Sequence, residues 1–181
     1  MARLIASATI TEHEFHSVTG EHIPVPDPQC LVHLQFRRFA GCPICNLHLQ
    51  SFAARHDEIG AAGIREVVFF HSPAAELATH TAELPFATVA DPDKRYYTEF
   101  GVESGARAVL DPRAWRTVVA GVAATITGRF RLPAINPHGG RLGLPADFLI
   151  DTDGTVLAAK YGEHADDQWS VDELLGYARQ R

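Results

Sequence analysis

Cysteine is scarce in this 181-residue chain, with three in all, and methionine (one) and tryptophan (two) are scarcer still. An odd, small number of cysteines excludes the disulfide framework of a small exported scaffold. No run of about 18 apolar residues occurs, so no membrane-spanning helix is expected. Positive charge is also short: 16 Lys and Arg against 22 Asp and Glu leave a net charge of −6. That balance argues against a protein that reads a nucleic-acid backbone and against a polybasic membrane binder. The opening stretch MARLIASATITEHEFH lacks a continuous apolar segment and already carries Glu12 and Glu14, a poor export signal. The expected compartment is the cytoplasm. What is present is an ordinary globular composition, 46% hydrophobic and 21% charged. The length suits one domain over residues 1–181 with a single core, plus at most an insertion.

Two short strands, His13 to His16 and His22 to Val25, are expected around a turn at Gly20, with Pro24, Pro26 and Pro28 keeping the second at an edge. They make residues 1–29 an N-terminal hairpin extension. Cys30 to Phe36 reads as a central strand, Arg37 to Gly41 as a loop. From Pro43 the pattern turns helical, with Cys45, Leu49, Phe52, His56 and Ile59 on one face. Gly60 and Gly63 end the helix, and Ile64 to Phe70 is β-branched and aromatic. Strand, helix, strand implies a right-handed βαβ unit with parallel strands.

Ser72-Pro73 reads as an N-cap and first helical position, opening a helix to about Leu84. Phe86 to Ala90 is a further strand, and Asp91-Pro92 opens a short helix with Tyr96, Tyr97 and Phe100. Residues 101–142 form an insertion with a helix from Pro112 through Trp115, Val118, Val119 and Val122, and a loop over Leu132 to Gly140. Its length suits a lid or an interface element. Ala146 to Asp151 is a strand, Asp153-Gly154 a hairpin turn, and Val156 to Tyr161 the partner strand. Ser170 with Glu173 forms a capping box for a last helix. The class is therefore α/β.

The strongest chemical signal is Gly41-Cys42-Pro43-Ile44-Cys45 between a buried strand and a helix. A thiol at a helix N-terminus faces unpaired N–H groups and the positive end of the dipole, which favour the thiolate. Arg37 and Arg38 in the same loop add positive potential. Pro43 suits the first turn because its missing N–H loses nothing there. The helical face puts Cys45 on the core side, so an exposed attacking Cys42 and a sheltered resolving Cys45 are expected. A zinc site would need two more ligands from residues such as Cys30 and His48, with no second C-x-x-C to supply them. Two merely packed cysteines fit the glycine-cysteine-proline setting poorly. Redox use is preferred.

Pro145, after Gly143 and ahead of the terminal strand, reads either as an ordinary trans proline at a strand start or, as its context favours, as a cis proline that brings backbone beside the thiol pair. Asp147, two residues on, is a candidate to take a proton from Cys45, although a hydrogen-bonded strand Asp is the commoner outcome. His71 ends a central strand at the sheet edge where α/β sites collect, but with ten histidines in the chain it and His48 read as structural. Cys30 reads as a small buried hydrophobe, or alternatively as a second resolving thiol. No G-x-G-x-x-G or G-x-x-x-x-G-K occurs, so no nucleotide cofactor is expected, nor any other cofactor or resident metal.

The Cys-Pro-Ile-Cys motif, the Gly-Leu-Pro before Phe148-Leu149-Ile150-Asp151, and the Asp-Thr-Asp-Gly turn resemble the thioredoxin superfamily. ADPDKRYYTEFGV and SVTGEHIPVPD resemble its peroxiredoxin-like, AhpC/TSA-type branch. The resemblance spans nearly the whole chain, Asp111 to Gly140 excepted. It implies a thioredoxin fold, a mixed sheet flanked by helices, and an antioxidant thiol oxidoreductase. The catalytic residues would be Cys42, Cys45 and a groove-shaping Pro145, supported by Arg38, Pro43 and Asp147.

The family's peroxide-activating positions differ: the Thr or Ser before the nucleophile is Phe39, the earlier Pro is Gln35, and the strand arginine is Pro145, with Arg141 out of register. Chemistry therefore leans toward dithiol–disulfide exchange, with hydroperoxide reduction as the alternative and a non-catalytic thioredoxin-fold binding module as a third reading. The partners implied are a disulfide or hydroperoxide substrate, a cellular thiol reductant, and a second copy of the chain as a homodimer. No nucleic acid or membrane partner is implied.

Overall fold

The computed structural model describes residues 3–102, 104, 111–128, 130–131 and 136–181. Parts of the expected insertion, including 132–135 of its loop, lie outside them. Strands β1 (His13–His16) and β2 (His22–Val25) form an antiparallel hairpin. β3 (Leu31–Phe36), β4 (Ile64–Phe70), β5 (Ala87–Ala90), β6 (Ala146–Ile150) and β7 (Val156–Tyr161) form a five-stranded sheet in the order β5-β4-β3-β6-β7. β3, β4 and β5 are parallel, while β6 and β7 run antiparallel. The α/β class and the mixed sheet are as expected, with β6 beside β3.

The sheet has one apolar face under the hairpin. Phe15, Ile23 and Val25 pack there on Val32, Leu34, Phe36, Phe69 and Phe148. The other face lies under helices α1 (Pro43–Ala53), α2 (His56–Ala61), α3 (Ala74–Thr81) and α6 (Val171–Ala178). The short α4 (Arg95–Glu99) buries Tyr97, and Asp91 accepts hydrogen bonds from the backbone N–H groups of Arg95 and Tyr96 at its start. The capping box of Ser170 and Glu173 is formed in full.

Three expectations are corrected. The helix after Pro43 is broken near Arg55, giving α1 and α2 with the same buried face through Leu49, Phe52 and Ile59. Ser72 does not cap α3: its Oγ accepts the backbone N–H of Ala40 at 3.0 Å, so it braces the loop before Cys42, and Pro73 takes the cap position. Pro145 is trans, the one cis peptide among the described residues being Val25–Pro26. An extended approach explains this. Gly143 bridges to Ser104, and the Pro145 carbonyl accepts from Gly162, so the chain enters β6 already in strand geometry.

The insertion contributes a 3-10 turn (Pro112–Ala114) running into α5 (Trp115–Ile126), which packs across α1. Gly121 sets the closeness of that packing. A Cβ there would lie 2.8 Å from the Pro43 Cβ, so only glycine admits the approach.

Candidate active site

β3 delivers the chain to the C-terminal edge of the sheet, and the loop Arg37–Gly41 turns it into α1. Gly41, at φ 75°, makes the turn that puts Cys42 at the N-cap of the helix and Pro43 in its first turn. Both thiols are enclosed: Cys42 is 0% exposed and Cys45 1%. The expected exposed Cys42 is thus corrected. Phe39, Ala40, Ile44 and Ala165 surround the pair, and Val118 of α5 packs against the same cluster. Val118 is the insertion's contribution to that cluster.

The two thiols differ in charge preference. Burial on its own would raise the Cys42 pKa. The hydrogen bond from Cys45, the positive charge of Arg38 and the N–H groups of Cys45 and Ile44 outweigh it and bring the thiol down to about 6. Cys45 goes the opposite way, pushed well up by burial and by the Cys42 thiolate to which it donates. One thiol is ready to attack near neutral pH and the other holds its proton.

Arg38 stacks over the Phe39 ring at 5.3 Å, with Arg141 5.3 Å from the same ring, and Arg38 donates to the Arg141 carbonyl. Behind it lies His71, buried at the end of β4. His71 Nδ1 is 3.0 Å from the His138 carbonyl, so the ring proton sits on Nδ1 and Nε2 is a bare acceptor. Burial, then the Lys94 charge, lowers its pKa to about 4, so the ring is neutral. Arg38 Nε and His71 Nε2 are both buried without a hydrogen-bond partner among the described residues. Gly143 lies against both side chains.

Arg37 plays a different part from Arg38. It is buried under α1, where it donates from Nη2 to Asp147 Oδ1 and to Gln35 Oε1 at 2.6 Å each, and to His48 Nε2 at 3.1 Å. Asp147 also contacts His33 Nε2 at 3.1 Å, and His33 Nδ1 contacts Glu66 Oε1 at 2.9 Å. Burial opposes charge on His33, but its two carboxylate partners raise its pKa. Asp147 thus lies between the Arg37 guanidinium and the His33 ring, with Glu66 at the ring's other nitrogen, in one buried set.

Asp147, the candidate proton acceptor for Cys45, turns its oxygens to Arg37 and His33. Burial would raise its pKa, yet Arg37 and His33 hold the carboxyl far below the usual range, and a carboxylate that acidic is a poor base. Pro145 is buried against Gly162. Cys30 is partly exposed at the opposite end of β3, with about 20 Å of strand between it and the C-terminal edge. It cannot join Cys42 and Cys45 as a resolving thiol or as a shared zinc ligand. Burial, then Asp27, also raises its pKa.

The buried network escaped sequence reasoning, although a signal was present. His33, Gln35 and Arg37 alternate in CLVHLQFR and place three polar groups on one face of a central strand.

A cysteine pair at the head of a helix, beside a five-stranded mixed sheet of this order, defines a thiol protein of thioredoxin fold. The family model of the AhpC/TSA antioxidant enzymes matches residues 48–164, and the chain belongs to that family. The matched span starts at His48 and so lies beyond the thiol pair itself.

Among solved structures, the peroxidoxin BcpB from Mycobacterium tuberculosis is similar with a TM-score of 0.70 at 18% identity, over 98% of each chain. Peroxiredoxin Q from Xanthomonas campestris gives 0.65 at 14%, over 99% of this chain and 96% of that one. A thiol:disulfide interchange protein DsbE from Chlorobium tepidum gives 0.62 at 16%, over 98% of this chain and 99% of that one. At these identities the likeness is one of fold. No curated protein matches the sequence.

Proposed function

We propose that the chain reduces hydroperoxides, with Cys42 as the nucleophile and Cys45 as the resolving thiol. The observation that carries this reading is an activated thiolate with no exposed surface: Cys42 is held ionised near neutral pH at 0% exposure. A small oxidant can reach such a sulfur through a slight loosening of its cover. A folded protein disulfide would need the cover removed.

Two unpartnered buried atoms, on side chains that both lie against Gly143, support the same class. Arg38 Nε–H is a donor and His71 Nε2 an acceptor. A hydroperoxide both donates and accepts and satisfies the two together, whereas a disulfide has no proton to donate. Arg38 also takes over the charge role that the family's strand arginine, replaced here by Pro145, leaves open. The peroxidoxin and peroxiredoxin neighbours fit this reading.

In the first step the Cys42 thiolate attacks the terminal peroxide oxygen and the O–O bond breaks. The leaving alkoxide takes a proton to become an alcohol, and Cys42 becomes a sulfenic acid. Cys45 then attacks that sulfur, water leaves, and a Cys42–Cys45 disulfide forms. A cellular dithiol reduces it and is itself oxidised.

The hydrogen bond between the two thiols favours a second reading, dithiol–disulfide exchange, because a pair so placed closes readily to an intramolecular disulfide. The Cys45→Ser variant separates the two. With one equivalent of tert-butyl hydroperoxide and dimedone, peroxide chemistry gives a dimedone adduct on Cys42. No adduct, together with a Cys42 mixed disulfide from a small oxidised dithiol, would establish exchange instead.

A further inference from the structure

The end of the sheet away from the thiols is hollow. A cavity of about 780 Å³ opens at the N-terminal ends of β3, β4 and β5, between α2, the end of α3 and the hairpin turn. That is the size of a small-molecule pocket. Val18, Ile64, Leu84, Pro85 and Phe86 give it an apolar lining. Glu66 stands in the same wall at 2% exposure, and its Oε2 has no hydrogen-bond partner among the described residues. Its Oε1 is taken by His33 Nδ1 at 2.9 Å and by Gln35 Nε2 at 3.0 Å, both from β3, which leaves Oε2 for the cavity. A buried carboxylate oxygen without a donor is costly.

We propose that this cavity binds a small organic ammonium, an apolar or aromatic body carrying one protonated amine, with Glu66 as its counter-ion. An ammonium has three donors and no acceptor, which is what a bare carboxylate oxygen requires, and such charge-assisted bonds are the strong ones. A second unpartnered atom in the wall agrees. His56 Nδ1 is buried without a partner among the described residues, and with the ring proton on Nε2 it accepts another of the ammonium N–H groups. The His56 ring lies 6.1 Å from that of Phe86, so an acceptor and an aromatic face occur together.

The charged groups of the wall decide the sign of the ligand. They are the carboxylates of Glu21, Asp27 and Glu66 and the guanidinium of Arg65. Arg65 is engaged by the other two acids, donating from Nη1 to Asp27 and from Nη2 to Glu21. His33, on the side of Glu66 away from Oε2, is shared with Asp147. An anionic ligand would therefore meet an acidic wall whose one guanidinium is already taken. A neutral alcohol would donate to Oε2 but leave the excess negative charge unanswered. Because the thiol pair lies at the C-terminal end of the same strands, the ligand and the oxidant would not compete.

Calorimetric titration of the reduced full chain with 2-phenylethylammonium chloride tests this, with a Kd of about 100 µM expected. The neutral 2-phenylethanol and the anionic 3-phenylpropionate, similar in shape, should bind more weakly by about tenfold or more. Glu66→Gln is expected to weaken the ammonium by about the same factor and to leave the alcohol unchanged. The wild type reads the location without any variant. Cys30 is partly exposed on the cavity wall, so saturating ammonium should slow its alkylation by N-ethylmaleimide several-fold while Cys42 reacts as before, each followed by peptide mass spectrometry. No heat and no protection of Cys30 up to about 10 mM ligand overturns the proposal and leaves the cavity to water. Equal affinity for the three compounds, or an unaltered Glu66→Gln, overturns the recognition of an ammonium. Protection of Cys42 in place of Cys30 overturns the location.

Discussion

Gly121 of the inserted helix rests on Pro43 of the thiol motif so closely that a methyl group at position 121 would lie 2.8 Å from the Pro43 Cβ. Glycine in a helix interior costs about 1 kcal/mol relative to alanine. The close approach offsets that cost and holds α5 against the first turn of α1.

Gly121→Ala is accordingly expected to favour the helix by its own propensity while lifting it from α1. Alkylation of Cys42 by a bulky maleimide should rise several-fold in the variant, with the fold intact by circular dichroism. An unchanged rate would mean that α5 does not limit access to the thiol.

Arg38 supplies the charge that helps depress Cys42. The thiolate should be lost as pH falls through about 6, so the alkylation rate at low pH should follow that titration. In Arg38→Met the midpoint should move up toward an ordinary thiol, and the rate at neutral pH should drop. Thiolate absorbance near 240 nm against pH reads the shift directly. A midpoint that stays put would show that the helix N–H groups and Cys45 suffice.

His71→Phe keeps an aromatic ring of similar size and removes the bare acceptor. Because the histidine is neutral, the Cys42 titration should not move. If His71 positions the oxidant, the rate with hydroperoxide should fall about tenfold, the worth of one hydrogen bond, with the effect on KM or on the second-order rate constant. Loss of stability with an unaltered peroxide rate would make the residue purely structural.

Asp147 belongs to stability. Its Arg37 and His33 partners are buried with it, so Asp147→Asn leaves an uncompensated charge and should cost about 3–5 kcal/mol in urea unfolding. The carboxyl is depressed, so its contribution is present above the ordinary carboxylate range and is lost as pH falls below it. His33 is raised, so its contribution is complete below about 6.5 and fades as pH climbs through its folded value. Stability should therefore be greatest between those limits. A fully stable Asp147→Asn protein that had lost only its activity would restore the catalytic reading of this residue.

The strands were legible because each obeys a local rule. Alternation and β-branching mark Ile64–Phe70 and Val156–Tyr161, and Ser170 with Glu173 marks the last helix. The C-x-x-C pair announced its chemistry through residue type and spacing. What the sequence could not convey was cover and partnership. The helix that rests on Pro43 of the thiol motif comes some seventy residues later in the chain, and its approach is set by one glycine. Two adjacent arginines look alike in sequence, yet Arg37 is turned under α1 to hold Asp147 while Arg38 faces the thiol. Ser72 resembles an N-cap, but the nearby Ala40 N–H takes its oxygen.

The most direct test of a buried, charge-activated thiolate open to small oxidants is the second-order rate of reduced protein with hydrogen peroxide, measured by stopped flow beside Cys42→Ser. Insulin disulfide reduction would be followed in parallel. The wild-type rate is expected to lie many-fold above that of free cysteine and to be abolished in the variant, with slow or no turnover of insulin. A rate equal to that of a free thiol, alongside Cys42-dependent reduction of insulin, would contradict it and make the chain a disulfide reductase.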